Sequence, residues 1–199
     1  MIGIIDYGAG NLYSVLKTID RLDYKTKLIT NPDDHDGTIT KLILPGVGNA
    51  KVAMKVLNET GLTSYIKEAV AKGIPLLGIC LGMQLLLETS EEGNVECLGL
   101  IKGSVPIFKE TVEKVPHMGW NQVKDVQSHF LFQHIPQPAD FYFVHSFYAS
   151  PTEQKDILGV TNYGFDFASV IGNEQVMGVQ FHPEKSGKYG IQLLDNYCK

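Results

Sequence analysis

The 199-residue sequence predicts an α/β fold, in which helices flank a mostly parallel central sheet with added antiparallel strands. Up to residue 87, short apolar runs alternate with stretches of helical periodicity, and right-handed crossovers of this kind build parallel sheets. Beyond that point, short apolar runs follow one another closely with turn residues between them, which favours antiparallel hairpins. Because no repeat, linker or low-complexity segment divides the chain, we expect residues 1–199 to form one domain.

The first strand and the turn after it carry glycines that could suggest a nucleotide site. Residues 2–5 are apolar and precede Gly8 and Gly10. Apolar residues then recur at helical spacing over residues 12–22. The third glycine of the dinucleotide fingerprint is missing, and no acidic residue ends a clear second strand. We therefore reject dinucleotide binding, and on local sequence Asn11 is best explained as the N-cap of the first helix.

The remaining elements follow from the same patterns. In the first half we predict strands at 25–30 and 41–44, a buried strand ending just before Cys80, and helices at 50–57, 62–71 and directly after Cys80. Residues 88–99 are polar and acidic. In the second half the predicted strands are 104–108, 120–123, 141–144, 157–161, 167–171 and 176–181, and a closing helix opens at Ser186 and Gly187.

The composition argues against several classes of protein. A formal net charge of −5 without a basic cluster argues against a nucleic-acid partner. No apolar run has the length needed to cross a membrane, and Met1 leads directly into a strand, so no signal peptide is expected. The cysteines Cys80, Cys97 and Cys198 lack C-x-x-C spacing, which argues against a disulfide framework and against a zinc site. A reducing, cytoplasmic location fits this composition best.

Cys80 lies where a buried strand meets a helical pattern, with Gly78 and Gly82 two residues away on either side. This G-x-nucleophile-x-G spacing is typical of a nucleophile elbow, a tight strand-to-helix turn that presents one side chain at the top of the sheet. Glycines flank the nucleophile because neighbouring β-carbons would collide in such a turn. A thiol at a helix N-terminus also ionises more readily. The alternative is a small buried core cysteine, and the flanking glycines favour catalysis.

A catalytic thiol needs a base, and the base needs an orienting group. His182 precedes a proline, which favours an extended backbone, and side chains two residues apart on an extended segment point the same way. Glu184 could therefore orient His182. His145, at the end of another apolar strand, is the second serious candidate, but no carboxylate is placed in this way beside it. The structural alternative for His182 is a strand-end histidine bonded to backbone.

The tetrahedral intermediate of such a site requires an oxyanion hole. Its first donor should be the backbone N–H of Leu81, the residue after the nucleophile. A second donor should come from the glycine-rich loop after a neighbouring strand, where Gly46 and Val47 lie. The complete arrangement suits acyl transfer through a thioester, most simply hydrolysis of an amide or ester. This chemistry requires no metal and no organic cofactor.

Two motifs, Gly78-Ile79-Cys80-Leu81-Gly82-Met83-Gln84 and Phe181-His182-Pro183-Glu184, together resemble those of the class I (triad) glutamine amidotransferases. The resemblance covers essentially the whole chain and implies the flavodoxin-like α/β fold of that family. A narrower resemblance is to the glutaminase subunits of imidazole glycerol phosphate synthases. The segments that carry this narrower resemblance are 6–12, 44–48, 116–121, 143–148 and 182–187.

The resemblance implies hydrolysis of glutamine to glutamate and ammonia. The ammonia would pass to a (β/α)₈ cyclase subunit of a heterodimer, which makes imidazole glycerol phosphate and AICAR in histidine biosynthesis. Gln84 would hold the glutamine, with Ser146 and Phe147 lining it through their backbone. The loop at 45–48 would rearrange when the partner is occupied and so complete the oxyanion hole. The positions that match the subunit interface are Asn11, Trp120, Tyr142 and Lys185.

Two positions depart from the family pattern, and more than one function fits the motifs. After Gly48 the family usually has an aromatic residue, often after an alanine, whereas Asn49 and Ala50 follow here. Lys102 stands where a proline is common. The same glutaminase chemistry could serve a different acceptor synthase, such as one for surface-sugar amination. The chain could also be a non-catalytic regulatory subunit or a stand-alone cysteine hydrolase.

Overall fold

Nine strands form one mixed sheet with helices on both faces in the computed structural model, which describes residues 1–8, 10–109 and 113–199. Ala9 of the opening motif lies outside the described residues. In chain order the strands are β1 (Ile2–Ile5), β2 (Thr26–Ile29), β3 (Lys41–Leu44), β4 (Leu76–Ile79), β5 (Thr89–Ser90), β6 (Val95–Glu96), β7 (Gly103–Val105), β8 (His117–Asp125), β9 (Ala139–His145), β10 (Ser150–Pro151), β11 (Ile157–Asn162), β12 (Asp166–Gly172) and β13 (Val176–Val179). The α-helices are α1 (Leu12–Arg21), α2 (Ala50–Glu59), α3 (Leu62–Ala71), α4 (Leu81–Gln84) and α5 (Gly187–Cys198).

The parallel half of the large sheet positions the site. Its strand order is β2-β1-β3-β4-β13-β12-β11-β8-β9, and the strands from β2 to β13 run parallel. β1, β4 and β13 are buried along their whole length, as expected for parallel strands covered on both faces. Leu44 of β3 pairs with Gly78, and Ile79 of β4 pairs with Val179. The carboxyl ends of β3, β4 and β13 therefore meet at one edge, where ligands bind in open α/β sheets.

The predicted antiparallel strands extend the sheet beyond β13. β12, β11, β8 and β9 pair antiparallel in that order. β8 begins at His117, three residues earlier than predicted, because His117 already pairs with His145 at the end of β9. A small second sheet, β10-β7-β5-β6, includes part of the acidic stretch at 88–99. β7 overlaps the strand predicted at 104–108 but is shorter than predicted. β5, β6 and β10 have only two residues each, too few for a hydrophobic pattern to predict them.

The helices cover both faces of the large sheet with separate cores. α1 and α5 bury residues such as Val15, Ile19 and Tyr197 on one face. α2 and α3 bury residues such as Leu57 and Ile66 on the other face. Within the described ranges, no helix combines the length and the apolar character that crossing a membrane requires.

The helix after Cys80 is shorter than its apolar pattern suggests. α4 covers only Leu81–Gln84, and turns follow it. The carbonyls of Leu85, Leu86 and Leu87 accept the backbone N–H groups of residues 98, 100 and 99 at 2.8–2.9 Å. The Glu88 N–H, which a longer helix would direct to the Gln84 carbonyl, donates instead to the Gly103 carbonyl at 3.1 Å, so the helical hydrogen-bond ladder stops here.

Candidate active site

Cys80 sits on a tight turn between β4 and α4. Its backbone adopts φ 54° and ψ −109°, a conformation that non-glycine residues rarely hold outside strained functional turns. A β-carbon on Gly82 would overlap the Leu44 carbonyl oxygen, and one on Gly78 would lie 2.6 Å from the Gly82 carbonyl oxygen. Gly82 thus lets the turn pack directly against β3, and Gly78 lets α4 fold back closely over the end of β4. The Cys80 N–H donates to the Val179 carbonyl at 2.8 Å, which joins the turn to the end of β13.

His182 and Glu184 follow β13 and form a buried pair. His182 Nδ1 lies 2.8 Å from Glu184 Oε1, and both side chains are fully buried. His182 has the extended backbone that was predicted, with φ −98° and ψ 95°. Glu184, however, lies in a one-turn 3₁₀-helix (Pro183–Lys185) rather than on a continued extended segment. The turn, not strand alternation, brings the carboxylate to the imidazole.

The electrostatics of this pair favour a protonated imidazole. Burial lowers the pKa of His182, but the Cys80 thiol and the Glu184 carboxylate outweigh this effect and raise the pKa to about 10. Nε2 of His182 is buried and makes no hydrogen bond to the described residues. The nitrogen that is not bound by Glu184 is therefore the one available to exchange a proton at Cys80.

Asn11 contacts the same carboxylate. It occupies the N-cap position of α1, but its side chain makes no capping bond, contrary to the simplest interpretation of the sequence. Instead Asn11 Nδ2 donates to Glu184 Oε1 at 3.3 Å, and the residue is 4% exposed. The residue that we expected at the interface is thus, in this structure, a buried contact of Glu184.

In this conformation the first donor of the predicted oxyanion hole is already occupied. The Leu81 N–H, the expected first donor, donates to the Gly46 carbonyl oxygen at 3.3 Å. Gly46 therefore offers an acceptor, not a donor, to the site. Val47 and Gly48 line the cavity beside Cys80. The loop at 45–48, which we call the oxyanion loop, lies where the sequence predicted it, but its Gly46–Val47 peptide must turn before both donors can face an oxyanion.

A cavity of about 320 Å³ opens beside Cys80. Gln84, Ser146 and Phe147, the expected substrate residues, all line it. Gln84 Nε2 donates to the Phe147 carbonyl at 3.0 Å and to Gln180 Oε1 at 3.1 Å. Because this amide nitrogen is already occupied, the amide oxygen of Gln84 is the atom left for a ligand.

Two buried histidines, of which His145 lines the cavity, were not predicted to act together. His117 Nδ1 lies 2.9 Å from His145 Nε2, and His145 Nδ1 lies 2.7 Å from the Phe147 carbonyl. A carbonyl can only accept, so each ring must carry its proton on Nδ1 and accept at Nε2. His117 Nε2 then accepts from Asn121 Nδ2 at 3.2 Å. This relay fixes the Phe147 carbonyl, to which Gln84 also binds. The two rings meet because His117 pairs with His145 across β8 and β9, a register that the sequence alone does not display.

Burial keeps both rings of the relay neutral. Desolvation lowers the pKa of His117 to about 4. For His145, desolvation together with the nearby His117 and His182 lowers the pKa to about 3, against the opposing hydrogen bond to Phe147. His145, the second candidate base, therefore takes part in the relay and not in the triad geometry.

Glu92 also lines the cavity, and nothing in its acidic sequence context identified it. Its Oε2 accepts the Ala50 N–H at 2.7 Å, at the start of α2. Asn49 caps the same helix by accepting the Val52 N–H at 3.2 Å. The departure from the family pattern at Asn49 and Ala50 thus gives α2 a well-capped start. Burial raises the pKa of Glu92, and the Ala50 hydrogen bond opposes that shift.

The remaining predicted interface residues lie on the surface near the triad. Trp120 is 59% exposed and makes an edge-on contact with Tyr142 at 6.1 Å between ring centroids. The Tyr142 carbonyl accepts the His182 N–H at 2.9 Å. Lys185 is exposed, one residue after Glu184. In residues 1–8, 10–109 and 113–199, no three His, Cys, Asp or Glu side chains are grouped in a way that could hold a metal ion.

A family model described as glutamine amidotransferase class-I matches residues 3–198. The chain belongs to this family. The match includes the nucleophile turn, the His182–Glu184 pair and the oxyanion loop. Solved structures with low sequence identity share the fold of this chain, and the similarity to them extends to the fold alone. A crystal structure of a glutamine amidotransferase aligns with TM-score 0.77 over 99% of this chain and 97% of that one, at 16% identity. PurLQS from Thermotoga maritima aligns equally well over 100% and 98%, at 17% identity.

Sequence relatives of this class-I glutamine amidotransferase carry a narrower description. A protein of Dehalococcoides mccartyi is 48% identical over all of this chain and 97% of its own length. One from Methanocaldococcus jannaschii is 49% identical, covering 100% and 99%. One from Moorella thermoacetica is 49% identical, covering 98% and 93%. Each is described as imidazole glycerol phosphate synthase subunit HisH.

Proposed function

We propose that this chain is the glutaminase subunit of an imidazole glycerol phosphate synthase. It would hydrolyse glutamine to glutamate and ammonia and pass the ammonia to a (β/α)₈ cyclase subunit in histidine biosynthesis. The observation that carries the proposal is the buried His182–Glu184 pair, which shares one sheet edge with the strained Cys80 turn. Relatives described as subunits of that synthase match the chain along its whole length.

The chemistry assigns each of the three residues a defined role. The Cys80 thiolate attacks the carboxamide carbon of glutamine and forms a tetrahedral oxyanion. His182 gives its Nε2 proton to the leaving nitrogen, so ammonia departs and a thioester remains. Water then attacks the thioester carbonyl while His182 takes up its proton, and glutamate is released as the Cys80 thiolate leaves and the starting ion pair reforms. Glu184 stabilises the imidazolium and fixes the ring orientation through Nδ1.

The cavity suits an amino-acid amide. Gln84, Ser146 and Phe147 line one part of it, and their positions are held by the hydrogen bonds around the Phe147 carbonyl. The Glu92 carboxylate lines the same cavity and has the charge needed to attract an α-ammonium group. These contacts support glutamine as the substrate.

The closed oxyanion hole supports control by a partner. While Gly46 occupies the Leu81 N–H, the site lacks a donor that is typically worth 10²–10³-fold, about 2.7–4 kcal/mol, in kcat. We infer that the cyclase, when it holds its nucleotide ligand, favours a turned oxyanion loop. Around the triad the chain exposes Trp120 and Met118, which are 59% and 62% exposed, and large exposed apolar groups of this kind mark interaction surfaces.

The proposal is tested with the 1:1 complex of this chain and its cognate cyclase subunit. Cys80→Ala should abolish glutamine-dependent synthesis of imidazole glycerol phosphate and leave ammonium-dependent synthesis at the wild-type rate. A glutamine-analogue electrophile should add once per chain, at Cys80, as read by mass spectrometry. The variant Cys97→Ala changes another free cysteine that lies outside the cavity, and it should behave as wild type in both assays.

Three results would contradict the proposal. One is a Cys80→Ala complex that still uses glutamine. Another is a correctly folded Cys80→Ala complex that loses its ammonium-dependent rate. The third is a wild-type complex that makes product from ammonium but never from glutamine, which would indicate a non-catalytic subunit. Full glutamate release without any partner would instead favour a stand-alone hydrolase.

A further inference from the structure

We propose that the Tyr7 hydroxyl stabilises the active conformation of the oxyanion loop by donating a hydrogen bond to the Gly46 carbonyl oxygen after the Gly46–Val47 peptide has turned. This role rests on the proposed glutaminase function. It would make Tyr7 a positioning residue, which acts on the reaction through the loop and does not touch the substrate.

The first observation is that the Tyr7 hydroxyl is buried without a hydrogen-bond partner among the residues that the structure describes. A buried hydroxyl in this condition is unfavourable, and nearly all such groups in folded proteins are paired. Burial and the nearby Cys80 both raise the pKa of Tyr7, so the group remains an O–H donor at every working pH. A hydroxyl of this kind requires an explanation beyond core packing, for which phenylalanine would serve better.

The second observation is where this hydroxyl lies. A β-carbon built on Gly46 would overlap the Tyr7 hydroxyl oxygen. The same β-carbon would lie 3.1 Å from the Gly82 nitrogen and 3.1 Å from the Leu81 β-carbon. The hydroxyl therefore contacts the backbone of the residue whose carbonyl closes the oxyanion hole. The carbonyl oxygen lies only about 2.4 Å from its own Cα, so turning the peptide moves it around a point that is already next to the hydroxyl.

The third observation concerns the hydrogen bonds that the turn would break. In the closed state the Gly46 carbonyl accepts from the Leu81 N–H at 3.3 Å, at the long end for such a bond. When the Val47 N–H swings toward Cys80, this carbonyl loses Leu81 and needs another donor. The Tyr7 hydroxyl lacks an acceptor in the closed state. Pairing these two groups would satisfy both.

The structure also has room for the movement. A cavity of about 180 Å³ lies beside the loop and is lined by Tyr7, Val47, Gly48 and residues at the start of α2. Gly48 has a positive φ of 108°, and a β-carbon there would meet no atom within 4 Å. A loop with a glycine on each side of Val47 and free space next to it can turn one peptide without moving β3.

The test is Tyr7→Phe in the 1:1 complex with the cyclase subunit and its nucleotide ligand. We expect kcat for glutamine hydrolysis to fall about tenfold, which corresponds to about 1.4 kcal/mol. KM for glutamine should stay within about twofold, and ammonium-dependent synthesis should not change, because only the transition state loses a contact. The melting temperature of the isolated chain should stay equal or rise, because the variant removes an unpaired buried hydroxyl.

Tyr24→Phe is the matched control. The Tyr24 hydroxyl donates to Asp195 Oδ1 at 2.9 Å, at a position away from the cavity that Cys80 lines. Its removal should lower the melting temperature and leave kcat unchanged. A second measurement reports on the loop itself: on adding cyclase and ligand, the Leu81 amide resonance of ¹⁵N-labelled wild-type chain should shift, whereas in Tyr7→Phe it should remain mostly at its resting position.

The outcomes separate the two proposals. If the wild-type complex hydrolyses glutamine and Tyr7→Phe matches it within twofold, the role of Tyr7 is wrong and the glutaminase function stands. A Tyr7→Phe variant that melts lower, in parallel with Tyr24→Phe, and keeps its kcat would assign Tyr7 to core packing and would also overturn the inference. If the wild-type complex neither hydrolyses glutamine nor takes the electrophile at Cys80, both proposals fail.

Discussion

Lowering the pH from 7 to 5 should destabilise the folded chain by about 3 kcal/mol, because buried histidines resist protonation. His117 and His145 have pKa values lowered to about 4 and about 3, so they stay neutral in the folded state across this range. In the unfolded chain each has a pKa near 6.5 and takes up a proton between pH 7 and pH 5. The unfolded state therefore binds more protons, and stability falls as the pH falls.

The magnitude follows from these values. By proton linkage each ring of the relay contributes a loss of about 2 kcal/mol over this range. His182 opposes the loss by about 1 kcal/mol, because its pKa is raised to about 10 and the folded state already holds its proton. The raised pKa of Glu92 acts in the same direction as that of His182, while the lowered pKa of His129 adds to the loss. Above pH 7 the sign reverses, since stability contributed by His182 is lost as the pH rises toward 10.

Urea unfolding followed by circular dichroism at pH 7, 6 and 5 measures this dependence. Long-range ¹H–¹⁵N spectra of the imidazoles should assign this pH dependence to individual histidines. We expect His117 and His145 both to be neutral and protonated on Nδ1 down to pH 5. Stability that is flat or rising between pH 7 and pH 5 would refute the reasoning. So would protonation of either ring above pH 6, since the relay leaves no acceptor for a second proton.

Two substitutions test further contacts of the site. Glu184→Gln keeps an acceptor near His182 but removes the charge, so kcat for glutamine hydrolysis in the complex should fall by about 10²–10⁴-fold with ammonium-dependent synthesis intact; a fall of less than tenfold in glutamate release would argue against the triad. Gly82→Ala would drive a β-carbon into the Leu44 carbonyl and should cost about 4 kcal/mol or prevent folding. Gly10→Ala, whose β-carbon meets a side-chain methyl at 3.3 Å, is the milder comparison in thermal denaturation, and equal melting temperatures would contradict the packing argument.

Most of the parallel half of the fold could be predicted because β1, β3 and β4 are short apolar runs followed by helical periodicity, although a 3₁₀ turn and a loop, not a helix, connect β2 to β3. Burial on both faces makes β1, β4 and β13 almost wholly apolar, and this is what the sequence displays. The length of α4 could not be predicted in this way. It depends on hydrogen bonds to segments far along the chain, since the Glu88 N–H that would extend the helix donates to the Gly103 carbonyl instead.

The three proposed catalytic residues could be found from sequence because each belongs to a short local motif. Cys80 is identified by its flanking glycines, and His182 by a carboxylate two positions away. Residues that depend on strand register were missed. His117 and His145 are 28 positions apart and meet only because β8 and β9 pair at those residues. Tyr7 was missed for a different reason: a tyrosine two residues after an apolar strand gives no sign that its hydroxyl will be buried against a glycine of another loop.

Tyr7, Gly10 and Asn11 explain how binding of a partner could affect both the oxyanion loop and the His182–Glu184 pair. Tyr7 contacts Gly46, a β-carbon on Gly10 would lie 3.3 Å from a Val47 methyl, and Asn11 donates to Glu184. Under the proposed role of Tyr7, opening the oxyanion hole exchanges one hydrogen bond of the Gly46 carbonyl for another, so the two loop states differ by little in bonding. Moving such an equilibrium from 1:99 to 99:1 takes about 5.5 kcal/mol of differential binding. Because the exchange itself costs little, a cyclase interface that prefers one loop state can supply that difference without disturbing the triad geometry.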